Sequence, residues 1–230
     1  MVSSTCCDRD PIRDLLGLSP GPRRPWVPSK TSLSHELHLS LDDGVVSYLR
    51  DRQKFFVPDL NFSRDRIEGC FDFSPVYDGI IEWGADGDVF VEVGAYVGQS
   101  SSHLAGAIKR SGKNISLFVV DPWPGIRYDI FIKNMISSLV MDSFTPMRTN
   151  SIMAASRFDD GSVDFMFADG DHSFEYLSME IEAWHPKMRR GGVMAGHDYS
   201  DSYDGVRRAV DERFGDDVII HDGCWMVVIR

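Results

Sequence analysis

The sequence predicts an α/β fold: a doubly wound, mostly parallel sheet that finishes in an antiparallel hairpin. Three observations predict it. Apolar runs at 89–93, 116–120, 163–168 and 193–195 alternate with helical stretches near 99–111, 129–140, 173–184 and 203–214. Such alternation makes parallel strands joined by helical crossovers. The runs close on acids, Glu92, Asp121, Asp169 and Asp198, so one edge of the expected sheet collects carboxylates. Finally, 218–229 reads as two strands around Asp222-Gly223, the strongest short hairpin signal.

Length and composition set bounds. The 230 residues suffice for one α/β domain with a decoration, and 43% hydrophobic with 26% charged residues suits a globular protein. A net charge of −11 speaks against broad binding to nucleic acid or to an anionic membrane. No apolar run approaches the roughly 20 residues that span a bilayer, and the N-terminus lacks the apolar core of a signal peptide. Cys6 and Cys7 are adjacent, Cys70 and Cys224 isolated, which fits neither a disulfide framework nor a zinc knuckle. A reduced, cytoplasmic setting is the expectation.

Residues 1–40 read as a flexible tail, because the prolines between Ser19 and Pro28 prevent a helix or a central strand. Residues 41–87 read as a helical cap segment, with a helix over 41–56 carrying Val45, Tyr48, Leu49 and Phe55. The main domain is 88–230. Its first strand, Val89–Val93, carries Glu92 and runs into Gly94-Ala95-Tyr96-Val97-Gly98-Gln99-Ser100. A glycine turn between strand and helix offers free backbone N–H groups where α/β folds bind nucleotide-like ligands. The dinucleotide pattern G-x-G-x-x-G fails at Tyr96 and Gln99, and no Gly-Lys-Ser/Thr phosphate loop follows.

The second strand ends in Asp121-Pro122-Trp123. An acid there can accept hydrogen bonds from both hydroxyls of a ribose held at the neighbouring tip, about 4.8 Å away. The third, Val163–Ala168, delivers Asp169, Asp171 and His172 to one tip, and Phe174, Leu177, Ile181 and Trp184 repeat with helical spacing behind them. Asp171 or Ser173 also suits a helix cap. The fourth ends in Gly196-His197-Asp198-Tyr199, again acid and imidazole together. Carboxylates on adjacent strands can hold a divalent metal through oxygen ligands, and Mg²⁺ would suit a site that polarises a hydroxyl. In the 122–148 segment Trp123, Tyr128, Phe131 and Met135 suit either the core or an acceptor pocket, with core the better fit.

The Glu92-x-Gly94-x-x-x-Gly98 turn resembles the first motif of class I S-adenosylmethionine-dependent methyltransferases. The resemblance sharpens downstream. Asp164 to Glu175 is similar to a D-x-x-F-x-D-G-D-H-S-Y-E signature, Trp184 to Gly192 to W-x-P-x-L-x-x-G-G, and Gly196-His197-Asp198-Tyr199 with Gly205 to Val210 to G-H-D-Y…G-V-x-x-A-V. These belong to a branch that includes sugar O-methyltransferases of macrolide and aminocoumarin pathways. The resemblance spans about 88–230 and implies a Rossmann-like, seven-stranded sheet.

It also implies roles. Glu92, Gly94, Ala95, Tyr96, Gly98, Ser100, Asp121, Pro122, Trp123, Ser151 and Asp169 would hold S-adenosyl-L-methionine, with Ser151 near the adenine. Asp169 and Asp198 match magnesium ligands of the metal-dependent members. His197 stands where those members carry a further carboxylate, which leaves metal dependence open. Asp171 and His172 both match positions of a general base, and His is the better base at neutral pH. Asp164 starts its strand at the opposite end and is expected to be structural. The expected reaction is O-methylation of a small-molecule or sugar hydroxyl. Nucleic acid and membrane partners are not expected, and a homo-oligomer is left open. A hydroxylase-like relative and a non-catalytic cofactor-binding module are the alternatives.

Overall fold

The computed structural model describes residues 66–230. The expected tail and the helix over 41–56 lie outside the described residues. In chain order the elements are α1 (Ser74–Trp83), β1 (Val89–Val93), α2 (Gln99–Ser111), β2 (Ser116–Val120), α3 (Arg127–Ser137), β3 (Thr145–Met147), α4 (Ser151–Ala155), β4 (Val163–Ala168), α5 (Phe174–Trp184), β5 (Met188–Gly196), α6 (Asp204–Phe214), β6 (Ile219–His221) and β7 (Cys224–Val228). The seven strands form one sheet in the order β3-β2-β1-β4-β5-β7-β6. Strands β1 to β5 run parallel, and β7 inserts antiparallel between β5 and β6.

β1 and β4 are buried along their whole length, as parallel strands covered on both faces must be. Their side chains alternate between two cores. Phe90, Phe165 and Phe167 pack with α1, α2 and α3; Val91, Met166 and Met194 pack with α4, α5 and α6. The chain therefore winds away from β1 in both directions, and the crevice between the carboxyl ends of β1 and β4 is where such a sheet accepts a ligand.

Three elements go beyond the sequence expectation. α1 opens on Ser74-Pro75, with proline in its first turn, and buries Val76, Tyr77, Ile80 and Ile81 at helical spacing. β3 is three residues long and contains Pro146, which demotes such a run to an edge strand; β3 is the edge. α4 is a single short helix whose cap Asn150 accepts the Met153 N–H at 2.9 Å. The helix expected over 129–140 lies at Arg127–Ser137. The strand expected at 193–195 is the end of the longer β5. The hairpin forms as expected: Asp222 and Gly223 both have positive φ, 47° and 76°, the geometry of a two-residue turn that matches strand twist.

The strand tips are pinned one residue beyond the ladder. Gly94 N–H donates to Val120 O at 2.9 Å, Asp169 N–H to Val93 O at 2.9 Å, and His197 N–H to Ala168 O at 3.1 Å. The residues that follow start from fixed backbone. At the opposite end of β4, Asp164 accepts the Val89 N–H at 2.9 Å and pairs with Arg189, which is the expected structural role.

Candidate active site

The β1 turn is built around contact with β4. Gly94 has φ 88°, and a Cβ there would lie 1.9 Å from the Asp169 carbonyl oxygen. Only glycine lets the two tips approach this closely. Gly98 also has positive φ, 95°, but its missing Cβ makes room for Met135 and Phe131 of α3. Its glycine serves packing against α3 and the start of α2, and Gly98 is not among the residues that line the cavity. Between them Tyr96 stands at φ 49°, Trp123 follows β2 at φ 39°, and Asp198 follows β5 at φ 60°. Left-handed non-glycine residues are uncommon and gather at functional sites, where surrounding structure holds them.

Asp121 ties the first two tips together. Its Oδ2 accepts Tyr96 N–H at 2.9 Å and its Oδ1 accepts Trp123 N–H at 2.6 Å. Burial raises its pKa, and these backbone donors offset part of that rise. Trp123 is fully buried against Phe131 and Tyr128, and its Nε1 donates to Tyr96 O at 2.8 Å. Trp123 is thus a prop beneath the turn, in line with the core reading of its side chain. Phe131 and Met135 are core as well. Pro122 is exposed beside Asp121. Ser151 is buried at the start of α4, where its Oγ accepts Trp184 Nε1–H at 2.7 Å.

Glu92 points beneath the turn and is 1% exposed. Its Oε1 accepts the Tyr77 hydroxyl at 2.9 Å. Burial pushes its pKa to about 7, against the opposing pull of the Ser101, Ser100 and Tyr77 hydroxyls. Neither serine is aligned to hydrogen-bond Oε2, and Glu92 Oε2, Ser101 Oγ and Gln99 Oε1 are all buried without a partner. Buried polar atoms left unpaired beside a glycine turn fit a polar, cationic ligand group that is to arrive there.

A cavity of about 640 Å³ opens at this edge. Gly94, Ala95, Tyr96 and Ser100 form one side; Asp169, His172, His197 and Asp198 form the other. The structure thus brings most of the sequence-predicted residues to one space. Asp171 is not among the residues lining it. Its Oδ1 accepts Ser173 N–H at 2.9 Å and Ser173 Oγ–H at 2.6 Å, and these bonds hold its pKa below the usual carboxylate range. An exposed carboxylate whose pKa is lowered by such bonds is a poorer base than an imidazole.

His172 Nε2 lies 2.7 Å from Asp198 Oδ2 and 3.7 Å from Asp169 Oδ1, though no oxygen is aligned for a hydrogen bond to it. The Asp169 and Asp198 carboxylates raise the His172 pKa against the opposing effect of burial. Burial raises the Asp169 pKa, and the His172 and His197 imidazoles pull it back. The His172 ring packs on Tyr203, with centroids 4.9 Å apart.

The expected metal ligands were Asp169, Asp198 and His197. Among the described residues, the donors that come within 4.8 Å of one another are those of Asp169, Asp198 and His172. His197 approaches with Nδ1 at 3.4 Å from Asp198 and 3.8 Å from Asp169, while its Nε2 faces Asp72 at 3.1 Å. Asp169 and Asp198 offer the one or two carboxylates by which Mg²⁺ is commonly held, and the imidazoles beside them are poorer partners for it.

The sequence reading missed part of the lining. Glu68, Cys70 and Asp72 close the cavity from the segment before α1, and Tyr203 from the turn before α6. Tyr96 Oη–H donates to Glu68 at 2.7 Å. No local pattern marks these residues; the one available signal was Ser74-Pro75, which starts α1 and so fixes where the chain enters.

Residues 91–199 match the family model described as a methyltransferase domain. The matched stretch is just under half of the chain. Solved structures resemble the fold around it. Cofactor-bound Rv0187 from MTB is 16% identical, with 88% of this chain and 99% of that one covered at a TM-score of 0.54. A SAM-dependent O-methyltransferase of Thermotoga maritima is 14% identical, with 72% and 69% covered at 0.53. A candidate rRNA-methylase of Clostridium thermocellum is 15% identical, with 70% and 97% covered at 0.52. At these identities the likeness is one of fold. No curated protein matches the sequence. Among the described residues, no helix is long and apolar enough to cross a membrane.

Proposed function

We propose that the chain is a methyltransferase that transfers a methyl group from S-adenosyl-L-methionine to a hydroxyl of a small molecule, with His172 as general base. One observation carries this reading: His172 and the Gly94–Tyr96 turn face the same cavity. The bound cofactor supplies a sulfonium methyl, so that the acceptor oxygen gains a C–O bond as the C–S bond breaks and its electron pair stays on sulfur. The chain's own work is to orient and to move a proton. His172 Nε2 takes the hydroxyl proton, and Asp198 beside it stabilises the imidazolium. Glu92 Oε2 meets the methionine ammonium, directly or through water. Gly94, Ala95, Tyr96 and Ser100 hold the cofactor from the turn, Asp121 the ribose, and Ser151 the adenine end. Gly98, Pro122 and Trp123 act behind them, on the shape of the turn. Asp169 and Asp198 would hold Mg²⁺ where it is bound, and it would polarise the acceptor hydroxyl.

The lining also supports a small acceptor over nucleic acid. Glu68, Asp72, Asp169 and Asp198 are acids, and no lysine or arginine lines the cavity among the described residues. A polyanion needs the reverse. A sugar hydroxyl, as in the branch with the D-G-D-H-S and G-H-D-Y motifs, suits this wall. The test is calorimetry with S-adenosylhomocysteine, followed by methyl transfer to a panel of sugars, phenols and an RNA transcript. Binding with transfer to hydroxyl compounds is expected. Absence of binding, or transfer to RNA alone, overturns the reading.

A further inference from the structure

Glu92 is oriented from α1, an element that precedes residues 91–199, the stretch matched by the methyltransferase model. We propose that Tyr77 of α1 is a positioning residue for the cofactor: its hydroxyl holds Glu92 Oε1 and so leaves Oε2 as the oxygen that meets the methionine ammonium. The inference rests on the proposed binding of S-adenosyl-L-methionine and adds a residue that acts through Glu92.

Tyr77 is fully buried, and its Oη–H donates to Glu92 Oε1 at 2.9 Å. Burial and the neighbouring Glu92 carboxylate raise the Tyr77 pKa, so the phenol keeps its proton and stays a donor. A hydrogen bond to a carboxylate favours its charged form, the form that attracts an ammonium. Tyr77 therefore works with the Ser101 and Ser100 hydroxyls against the burial of Glu92. The two carboxylate oxygens are not treated alike. Oε1 has a partner, and the equally buried Oε2 has none. A pair that served the core alone would satisfy both oxygens, because an unpaired buried acceptor costs free energy. One oxygen anchored and one left free suits a carboxylate that waits for a ligand.

The anchor is rigid. The Tyr77 ring meets Phe167 of β4 edge-on at 5.0 Å and Phe73 at 5.2 Å. α1 itself is tied at its side and at its end. Asp78 Oδ1 lies 2.8 Å from His103 Nε2 on α2. Lys113 Nζ, just before β2, donates to the Ile81, Glu82 and Gly84 carbonyls at 2.6, 2.9 and 2.8 Å. With ring and helix both fixed, the hydroxyl holds Oε1 in place and the carboxylate keeps one orientation. A ligand group that meets a carboxylate already set in position loses less free energy to ordering it.

The test is calorimetry of the full chain with S-adenosylhomocysteine and with methylthioadenosine, which keeps the adenosine and the sulfur but lacks the amino-acid end. Tyr77→Phe keeps the ring and removes the donor. It should weaken S-adenosylhomocysteine by at least about 5-fold, the scale of a hydrogen bond to a charged group, and leave methylthioadenosine within about 2-fold of wild type. A merely structural role would weaken both ligands alike. Glu92→Gln should lower the same affinity ratio, and adding Tyr77→Phe to it should lower the ratio no further, because the two act as a unit. Thermal melts show that the variants fold. The double variant has no charge buried beside a lost donor, so it reads the coupling even where Tyr77→Phe alone unfolds. Equal loss for both ligands, no loss for either, or full additivity in the double variant overturns this inference and leaves cofactor binding standing. A wild type that does not bind S-adenosylhomocysteine overturns the cofactor reading itself.

Discussion

His172 and Asp198 arrive from different strand tips, one after β4 and one after β5, yet Nε2 and Oδ2 stand 2.7 Å apart. The pair exists because His197 N–H bonds to Ala168 O and so aligns the β5 tip with the β4 tip. Asp198 then turns through φ 60° to face the imidazole.

Replacement of the imidazole should separate chemistry from binding. His172→Ala is expected to lower turnover by at least about 100-fold, the range for loss of a general base, with S-adenosylhomocysteine affinity within a few-fold of wild type. Asp171→Ala should keep turnover within a few-fold and cost about 1 kcal/mol of stability, as loss of a helix-start acceptor does. Steady-state kinetics with calorimetry and thermal melts reads both. The opposite ranking would return the base to Asp171.

Asp198→Asn keeps a side chain that tolerates left-handed backbone and removes the charge. Turnover should fall, and should fall no further when combined with His172→Ala, because the two act as a unit. A double-mutant cycle on kcat/KM measures this. Full additivity would mean that Asp198 does not work through His172.

Glu180 provides a pH test at a residue that does not line the cavity. Burial raises its pKa from 4.5 to about 7, with the Ser151 hydroxyl opposing. The folded state then holds a proton between these values that the unfolded state has released, so this group's contribution to stability falls as pH rises through that window. Glu180→Gln should therefore raise the melting temperature more at pH 8 than at pH 5. An equal shift at both pH values would show that Glu180 is not protonated by burial.

Gly94→Ala and Gly112→Ala should differ sharply. Both glycines have positive φ, but a Cβ at Gly94 meets the Asp169 backbone, and one at Gly112 meets nothing within 4 Å. Denaturant unfolding should show a loss of about 3 kcal/mol or more at Gly94 and about 1–2 kcal/mol at Gly112. Similar losses would mean that the β1 and β4 tips can part.

Local pattern was enough for much of this molecule. Alternating apolar runs and helical stretches predicted the parallel strands β1, β2, β4 and β5, because each must be buried on both faces. Asp222-Gly223 predicted the hairpin, because few residues tolerate its backbone. Asp169, His172, His197 and Asp198 could be assigned to one edge, because each lies within four residues of the end of a strand. What the chain order could not supply was distance and direction. Gly98 and Gly94 look alike in sequence, yet one faces α3 and the other β4. Asp171 and His172 are adjacent, yet one bonds back to its own helix and the other faces Asp198. Trp123 suited either core or a contact beside Asp121, and packing against Phe131 and Tyr128 puts its ring in the core. Sequence determined which residues reach the sheet edge, since that follows from where strands end. Tertiary structure alone decided which side chains meet there, since that depends on strand order, register and backbone φ at single residues.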